Sequence, residues 1–161
     1  MKRINPDHIS ALLDVINRAP YFELLSLKVC ALDIGYSRIE IDLGNKHLNP
    51  IGGVHGGVYS SAFDTAAYWS VYCELDENIS YTTIDIKIDL LSAVKEGKII
   101  VEGKSIKVGR NICLSEATAK DTRGKLLAHG SSKLMIVQGL QSFNSAAEAM
   151  GLHALPPKFL E

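Results

Sequence analysis

The sequence predicts an α+β fold: a curved antiparallel sheet wrapped around one long central helix. Three observations predict it. From Gly56 to Cys73 only Asp64 is charged, and Val58, Ala62, Phe63, Ala66, Ala67, Trp69 and Val71 point in too many directions to form one stripe. A helix apolar on nearly all sides is one that its surroundings enclose. Ile84, Ile86, Ile88 and Leu90 alternate with Thr83, Asp85, Lys87 and Asp89, the period of a half-buried strand. Three further strand-like runs follow one another on tight turns, which makes an antiparallel meander. One such sheet can bury the helix only by curling around it.

The elements follow in order. Asp7 caps a first helix whose apolar positions Ile9, Leu12, Leu13 and Ile16 recur at helical spacing and which stops before Pro20. Two short strands, near Leu27 to Asp33 and Ser37 to Leu43, are joined by a turn at Gly35. A loop from Gly44 to Val54 leads into the long helix, and the alternating strand through Leu90 comes next. Glu96-Gly97 turns into a strand from Lys98 to Lys107, Gly109-Arg110-Asn111 into another through Lys120, and Asp121-Thr122-Arg123-Gly124 into the last, Lys125 to Val137. Ser145 to Met150 suit a short tail helix, and Pro156-Pro157 suggests a loose end. The expected organisation is one domain over 1–161: an N-terminal helix at 7–19, a core at 21–137 and a tail at 138–161.

Composition excludes several classes of function. With 161 residues, 47% apolar and 22% charged, the chain has enough for a real core and nothing that marks disorder. A net charge of −1 argues against a general nucleic-acid or membrane binder. Met1-Lys2-Arg3-Ile4-Asn5-Pro6 leads into no apolar signal-peptide core, and Asp64 with several serines interrupts the only long apolar helix. Cys30, Cys73 and Cys113 are odd in number, far apart and without a CxxC. They suit reduced thiols in a cytoplasm.

Chemistry is concentrated around the long helix. A carboxylate in its middle costs several kcal/mol to desolvate unless something partners it or it does chemistry. Gly52-Gly53-Val54-His55-Gly56-Gly57 stands directly before the helix, a run that lets backbone approach a ligand closely. His47-Leu48-Asn49-Pro50, then Gly53-Val54-His55-Gly56-Gly57, then Asp64 nine residues after His55, resembles the hotdog-fold acyl-CoA thioesterases. Among these the chain is most similar to the phenylacetic-acid-degradation (PaaI-like) branch of the 4-hydroxybenzoyl-CoA thioesterase superfamily. The likeness runs from about Tyr21 to Val137 and includes Tyr81-Thr82-Thr83-Ile84-Asp85 and Gly124-Lys125-Leu126-Leu127-Ala128-His129-Gly130. A bare His-Gly-Gly is a weak signal; Asn, His-Gly-Gly and Asp at this spacing form a more specific one.

The resemblance implies roles that the chemistry supports. Thioester hydrolysis needs a base to activate water and a donor to hold the oxyanion. By resemblance Asp64 is that base, or the direct nucleophile. The Gly56 N–H, at a helix N-terminus where donors lack partners and the dipole is positive, polarises the carbonyl. Asn49 positions water or thioester, His55 shapes the oxyanion region, and Thr83 stands where the family can have a water-ordering serine. Gly57, Tyr59, Phe63 and Tyr68 are the candidates for contact with substrate, Trp69 lying beside them. The implied substrate is an acyl-CoA with an aryl or medium-length acyl group. No separate cofactor or metal is implied, coenzyme A being part of the substrate. Asp64 and Gly56 stand about 12 Å apart on one helix at 1.5 Å per residue, which calls for a second chain to complete the site; the resemblance likewise implies a homodimer at least, and a homotetramer formed by pairing such dimers.

Plainer readings stand beside these. Asp64 can simply bond backbone across a helix contact, His55 can be a structural hydrogen-bonder, Asn49-Pro50 is most simply a turn, and Thr83 on a polar strand face is simply a strand residue. The glycine run spells neither a P-loop nor a dinucleotide fingerprint. His8, His47, His55, His129 and His153 show no zinc spacing, and Ser60 and Ser61 lack a nucleophile-elbow setting. Lys95 to Lys133 carries nine basic and four acidic residues, a net +5 against −6 elsewhere. Lys107, Arg110 and Lys133 are therefore candidates for the coenzyme A phosphates, solvated strand faces being the alternative. Two other functions fit such a fold: a non-catalytic acyl-CoA or acyl-carrier binder, which needs no base, and a dehydratase or hydratase, which fits Asn49, Gly56 and Asp64 less well.

Overall fold

The structure, a computed structural model, describes residues 3–140 and 142–160; Met1, Lys2, Gln141 and Glu161, the last two inside the tail expected over 138–161, lie outside the described residues. The chain runs β1 (Arg3–Ile4), α1 (Pro6–Ile16), α2 (Pro20–Leu25), β2 (Leu27–Asp33), β3 (Tyr36–Asp42), a single 3₁₀ turn (Asn45–His47) and α3 (Gly56–Ser70). A second 3₁₀ turn (Tyr72–Glu74) leads to β4 (Ser80–Leu90), β5 (Lys98–Val108), β6 (Ile112–Asp121), β7 (Leu126–Val137), α4 (Phe143–Ala149) and β8 (Phe159–Leu160). Six strands form one antiparallel sheet in the order β2-β3-β5-β6-β7-β4. α3 packs against all six. This is the hotdog arrangement.

Close approach of helix and sheet depends on two missing side chains. A Cβ at Gly103 would overlap the Ala66 carbonyl and Ser37 Oγ, and one at Gly130 would overlap Lys87 O and press on the Phe63 ring. Without those glycines the sheet could not lie so near the helix. The core between them is built from Phe63, Ile39, Ile41, Ile99, Leu127 and Leu134, each at most 1% exposed. Burying a side chain of this size contributes about 1.5–3 kcal/mol.

Four sequence expectations need correction. The first helix is capped by Asn5, whose side chain accepts from Asp7 N–H, and it ends at Ile16. Pro20 then opens a second helix that the sequence reading lacked; proline suits the first helical position because its missing N–H is unpaired there anyway. The tail is not loose at Pro156-Pro157: Asn5 Nδ2 donates to Pro157 O at 2.8 Å, His8 Nδ1 to Pro156 O at 2.6 Å, and β8 pairs with β1. Lys158 is buried, its Nζ donating to Leu75 O at 2.7 Å.

The fourth correction concerns β4. Its register against β7 slips between Thr83 and Asp85, a bulge that breaks strict alternation and turns the strand. Ile84 is left 50% exposed while Thr83 turns towards α3. Thr83 is thus not on the polar outer face.

Candidate active site

The loop before α3 is fixed by side chains that bond to backbone. His47 is buried; its Nδ1 accepts from Gly44 N–H at 2.9 Å and its Nε2 donates to Leu25 O at 2.7 Å. Asn49 Oδ1 accepts from the N–H groups of Ile51 and Gly53, at 3.1 and 3.0 Å, closing the glycine turn. Asn49 therefore acts as a turn residue here, and its carboxamide also borders an open cavity of about 380 Å³ with Val54, Tyr59 and Leu90.

His55 is the N-cap of α3. Its Nδ1 accepts from Gly57 N–H at 2.8 Å, so that N–H is spent within the chain. Gly56 occupies the first helical position, and its N–H has no acceptor among the described residues. A donor at the positive end of a helix dipole, followed by Gly57 and with the Leu90 side chain beside it, is suited to an oxyanion.

Asp64 lies eight residues on, and its setting differs from the expectation of a buried carboxylate: it is only partly covered. α3 buries Val58, Tyr59, Ala62, Phe63, Thr65, Ala66, Ala67, Trp69 and Ser70, whereas Gly57, Ser60, Ser61, Asp64 and Tyr68 form a stripe left open. Thr83 Oγ1 donates to Asp64 Oδ1 at 2.7 Å, which orients the carboxylate. Its other oxygen remains available to water or substrate.

The remaining candidates disperse. Tyr59 is 4% exposed and borders the cavity beside Asn49; Phe63 is a core residue packed on Gly130; Tyr68 borders a different cavity. Burial pushes the Tyr68 phenol up to about 12, with a hydrogen bond to Tyr81 opposing this and the nearby Asp64 charge adding to it. Lys133 projects from the outer sheet face and pairs with Asp85 at 3.5 Å. Lys107 and Arg110 are exposed on β5 and the turn after it. The structure thus joins Asp64 to Thr83 and groups Asn49, His55, Gly56 and Gly57; among the described residues no hydrogen bond or ion pair links Lys107, Arg110 or Lys133 to these residues. Among the described residues, no three His, Cys, Asp or Glu side chains are placed to hold a metal ion, and no helix is long and apolar enough to cross a membrane.

Tyr81 was missed as a site neighbour. Its ring stacks on Tyr68 at 4.3 Å, and its hydroxyl donates to Tyr68 O at 3.1 Å. Residues two apart on a strand share a face, so once Thr83 is turned towards Asp64 it carries Tyr81 with it.

Comparison with known proteins agrees with this picture. A family model described as "Thioesterase superfamily" matches residues 51–128. A Saccharolobus solfataricus protein described as a "putative esterase" is 31% identical over 121 residues, covering 74% of this chain and 79% of its relative. The chain belongs to the thioesterase superfamily. Mouse acyl-coenzyme A thioesterase 13 is 22% identical over 127 residues, covering 76% of this chain and 90% of that protein. The solved structure of an N33D mutant of the phenylacetic acid degradation protein PaaI from Thermus thermophilus superposes with a TM-score of 0.67 at 19% identity, covering 73% of this chain and 99% of that one. At that identity the superposition shows the fold. The family supports thioester hydrolysis as the general chemistry.

Proposed function

We propose that this protein is an acyl-CoA thioesterase in which Asp64 of one chain and the Gly56 N–H of a second chain act on the same carbonyl. The observation that carries this reading is Asp64, oriented by Thr83 on the open stripe of α3, together with an unengaged N–H at Gly56. One helix cannot supply both groups: eight residues at 1.5 Å each separate them by about 12 Å, and both must act within hydrogen-bond reach of one thioester. A second α3 packed antiparallel on the open stripe brings each Gly56 to the other chain's Asp64, giving two equivalent sites about a two-fold axis. The small residues Gly57, Ser60 and Ser61 allow such an approach.

β4 supports the same assembly. It is an edge strand of 11 residues, with Ile84, Ile86 and Leu90 between 39 and 57% exposed. A long edge with apolar side chains is a liability unless something pairs with it. Pairing β4 with its copy continues the sheet across the dimer and covers Ile86 beside the helices.

In the reaction, Asp64 takes a proton from water and the resulting hydroxide adds to the thioester carbon. Gly56 N–H holds the oxyanion; collapse breaks the carbon–sulfur bond, and the departing thiolate takes the proton back from Asp64. Direct attack by the carboxylate, through an acyl-enzyme anhydride that water then opens, uses the same two groups. His55 shapes the donor site by keeping Gly57 N–H occupied, so that Gly56 is the donor presented. The test is a panel of aryl-, short- and long-chain acyl-CoAs with detection of released thiol. The reading expects saturable release from at least one class; release from none would refute it.

A further inference from the structure

Tyr59 lies three residues after Gly56, so the two share a face of α3. Long side chains on a helix lean towards its N-terminus, which carries the Tyr59 ring over the turn that presents the Gly56 N–H. Leu90 joins them. Its Cδ1 stands 3.5 Å from where a Gly56 Cβ would lie, and with Tyr59 and Asn49 it lines the open cavity of about 380 Å³. We propose that this cavity takes an aliphatic acyl group bearing a hydroxyl or keto oxygen within the first few carbons of the thioester, and that Tyr59 selects for that oxygen; this rests on the thioesterase reading above.

Two groups in the cavity wall still have hydrogen bonds to make. Tyr59 is 4% exposed, yet its hydroxyl has no partner among the described residues. No fully buried side-chain oxygen or nitrogen among those residues lacks a partner, so the hydroxyl is not sealed in and opens on the cavity that the residue lines. Burial pushes the Tyr59 phenol up, which keeps it a donor. Asn49 spends Oδ1 on the N–H groups of Ile51 and Gly53, and its Nδ2 has no partner among the described residues. One donor precedes Gly56 and the other follows it.

The rest of the wall decides what brings the acceptor. Ile51, Val54, Leu90, Leu91 and Val94 are apolar, which suits a hydrocarbon chain and not the amides and phosphates of the coenzyme arm. Among the described residues Tyr59 supplies the only ring of this wall, and no charged side chain takes part. An aryl group therefore meets few stacking partners and a carboxylate meets no counter-ion. A hydroxyl or keto oxygen needs neither. A plain alkyl chain expels the water that the Tyr59 hydroxyl bonds and gives nothing back, so a donor goes unpaired and affinity falls. A site built to bond a polar group discriminates against its apolar analogue more sharply than methylenes are told apart. Both donors stand at the Gly56 end, which puts the selected oxygen close to the carbonyl that Gly56 holds.

The test compares matched substrates. In full-length wild type and Tyr59→Phe, which keeps the ring and its packing, kcat/KM is measured for hexanoyl-, 3-hydroxyhexanoyl- and phenylacetyl-CoA. Kd values for the same three are taken by calorimetry in Asp64→Asn and in Asp64→Asn with Tyr59→Phe, where hydrolysis is slow. The wild type is expected to favour the 3-hydroxy substrate over hexanoyl-CoA at least tenfold, with phenylacetyl-CoA behind the 3-hydroxy substrate. Tyr59→Phe should bring the ratio close to one from both sides, the 3-hydroxy substrate losing and hexanoyl-CoA gaining, and the Kd ratios should follow. A wild type without this preference would overturn the assignment. So would a Tyr59→Phe that weakens all three substrates alike, which would place the hydroxyl on the coenzyme arm or in the fold. A wild type that hydrolyses none of them, while the Kd preference and its loss are both seen, would instead overturn the thioesterase reading and leave the cavity assignment standing.

Discussion

The two faces of α3 contrast. Towards the sheet, Ala62, Phe63 and Ala66 are at most 1% exposed, Ala66 lying against Gly103 and Phe63 against Gly130. On the other side, Gly57, Ser60, Ser61, Asp64 and Tyr68 are left open, and the only hydrogen bond from a strand to this stripe's Asp64 comes, among the described residues, from Thr83. One face spends its residues on packing and contributes stability. The other holds polar and small groups in place without covering them, which is what a site completed by a second chain requires. The same helix does both because side chains at i and i+4 stay on one face.

Mutating one residue on each face sharpens the comparison. Phe63→Ala removes a fully buried ring and should destabilise the protein by about 3–5 kcal/mol, read as a loss of denaturant midpoint, with activity falling only as far as the folded fraction does. Asp64→Asn, its neighbour in sequence, should do the reverse: kcat lower by roughly 10²-fold or more, with melting temperature level or raised because an unneeded charge is gone. Equal effects of the two substitutions on stability would erase the distinction between the faces.

Thr83 offers a smaller effect on the open side. A hydrogen bond to a charged group contributes about 1.5–3 kcal/mol, so Thr83→Val should lower kcat by roughly tenfold or more, with KM little changed. Thr83→Ser keeps the hydroxyl and should restore most of the rate. A valine variant with wild-type kcat would return Thr83 to a strand residue.

Much of the fold was legible because periodicity reports burial. The turns of the β5-β6-β7 meander and the apolar helix were readable locally; the alternation in β4 marked a strand but not its covered face, since Ile84, Ile86 and Leu90 are 39–57% exposed. What was not legible depends on distant partners. α2 was hidden because Pro20 reads equally well as a stop and as a start. The tail looked free because Pro156-Pro157 carries no local sign of Asn5, His8 or the strand at Arg3–Ile4 that hold it. At the site, the spacing of Asn49, His55, Gly56 and Asp64 pointed to residues that the fold places as two groups. It could not reveal the bulge that aims Thr83, since one residue of slip reverses a strand's faces. Nor could helix composition reveal what encloses the Asp64 face: an apolar helix demands cover, and its own chain provides only part of it.

The central claim, one site from two chains, is tested by mixing two inactive variants. Asp64→Asn removes the base. Gly56→Pro removes the donor N–H, and the fold tolerates it: Gly56 is the first helical residue, where proline suits, and His55 before it is extended with φ −66° and ψ 138°. The two chains are mixed after mild unfolding, refolded, and assayed with the best acyl-CoA substrate, heterodimers being confirmed by differential tagging. Each heterodimer pairs the intact Asp64 of one chain with the intact Gly56 of the other and places both lesions in its second site. The account predicts recovery of roughly a quarter of wild-type activity in an equal mixture, since half the dimers are mixed and each carries one working site. Confirmed, folded heterodimers as inactive as their parents would show that each chain works alone.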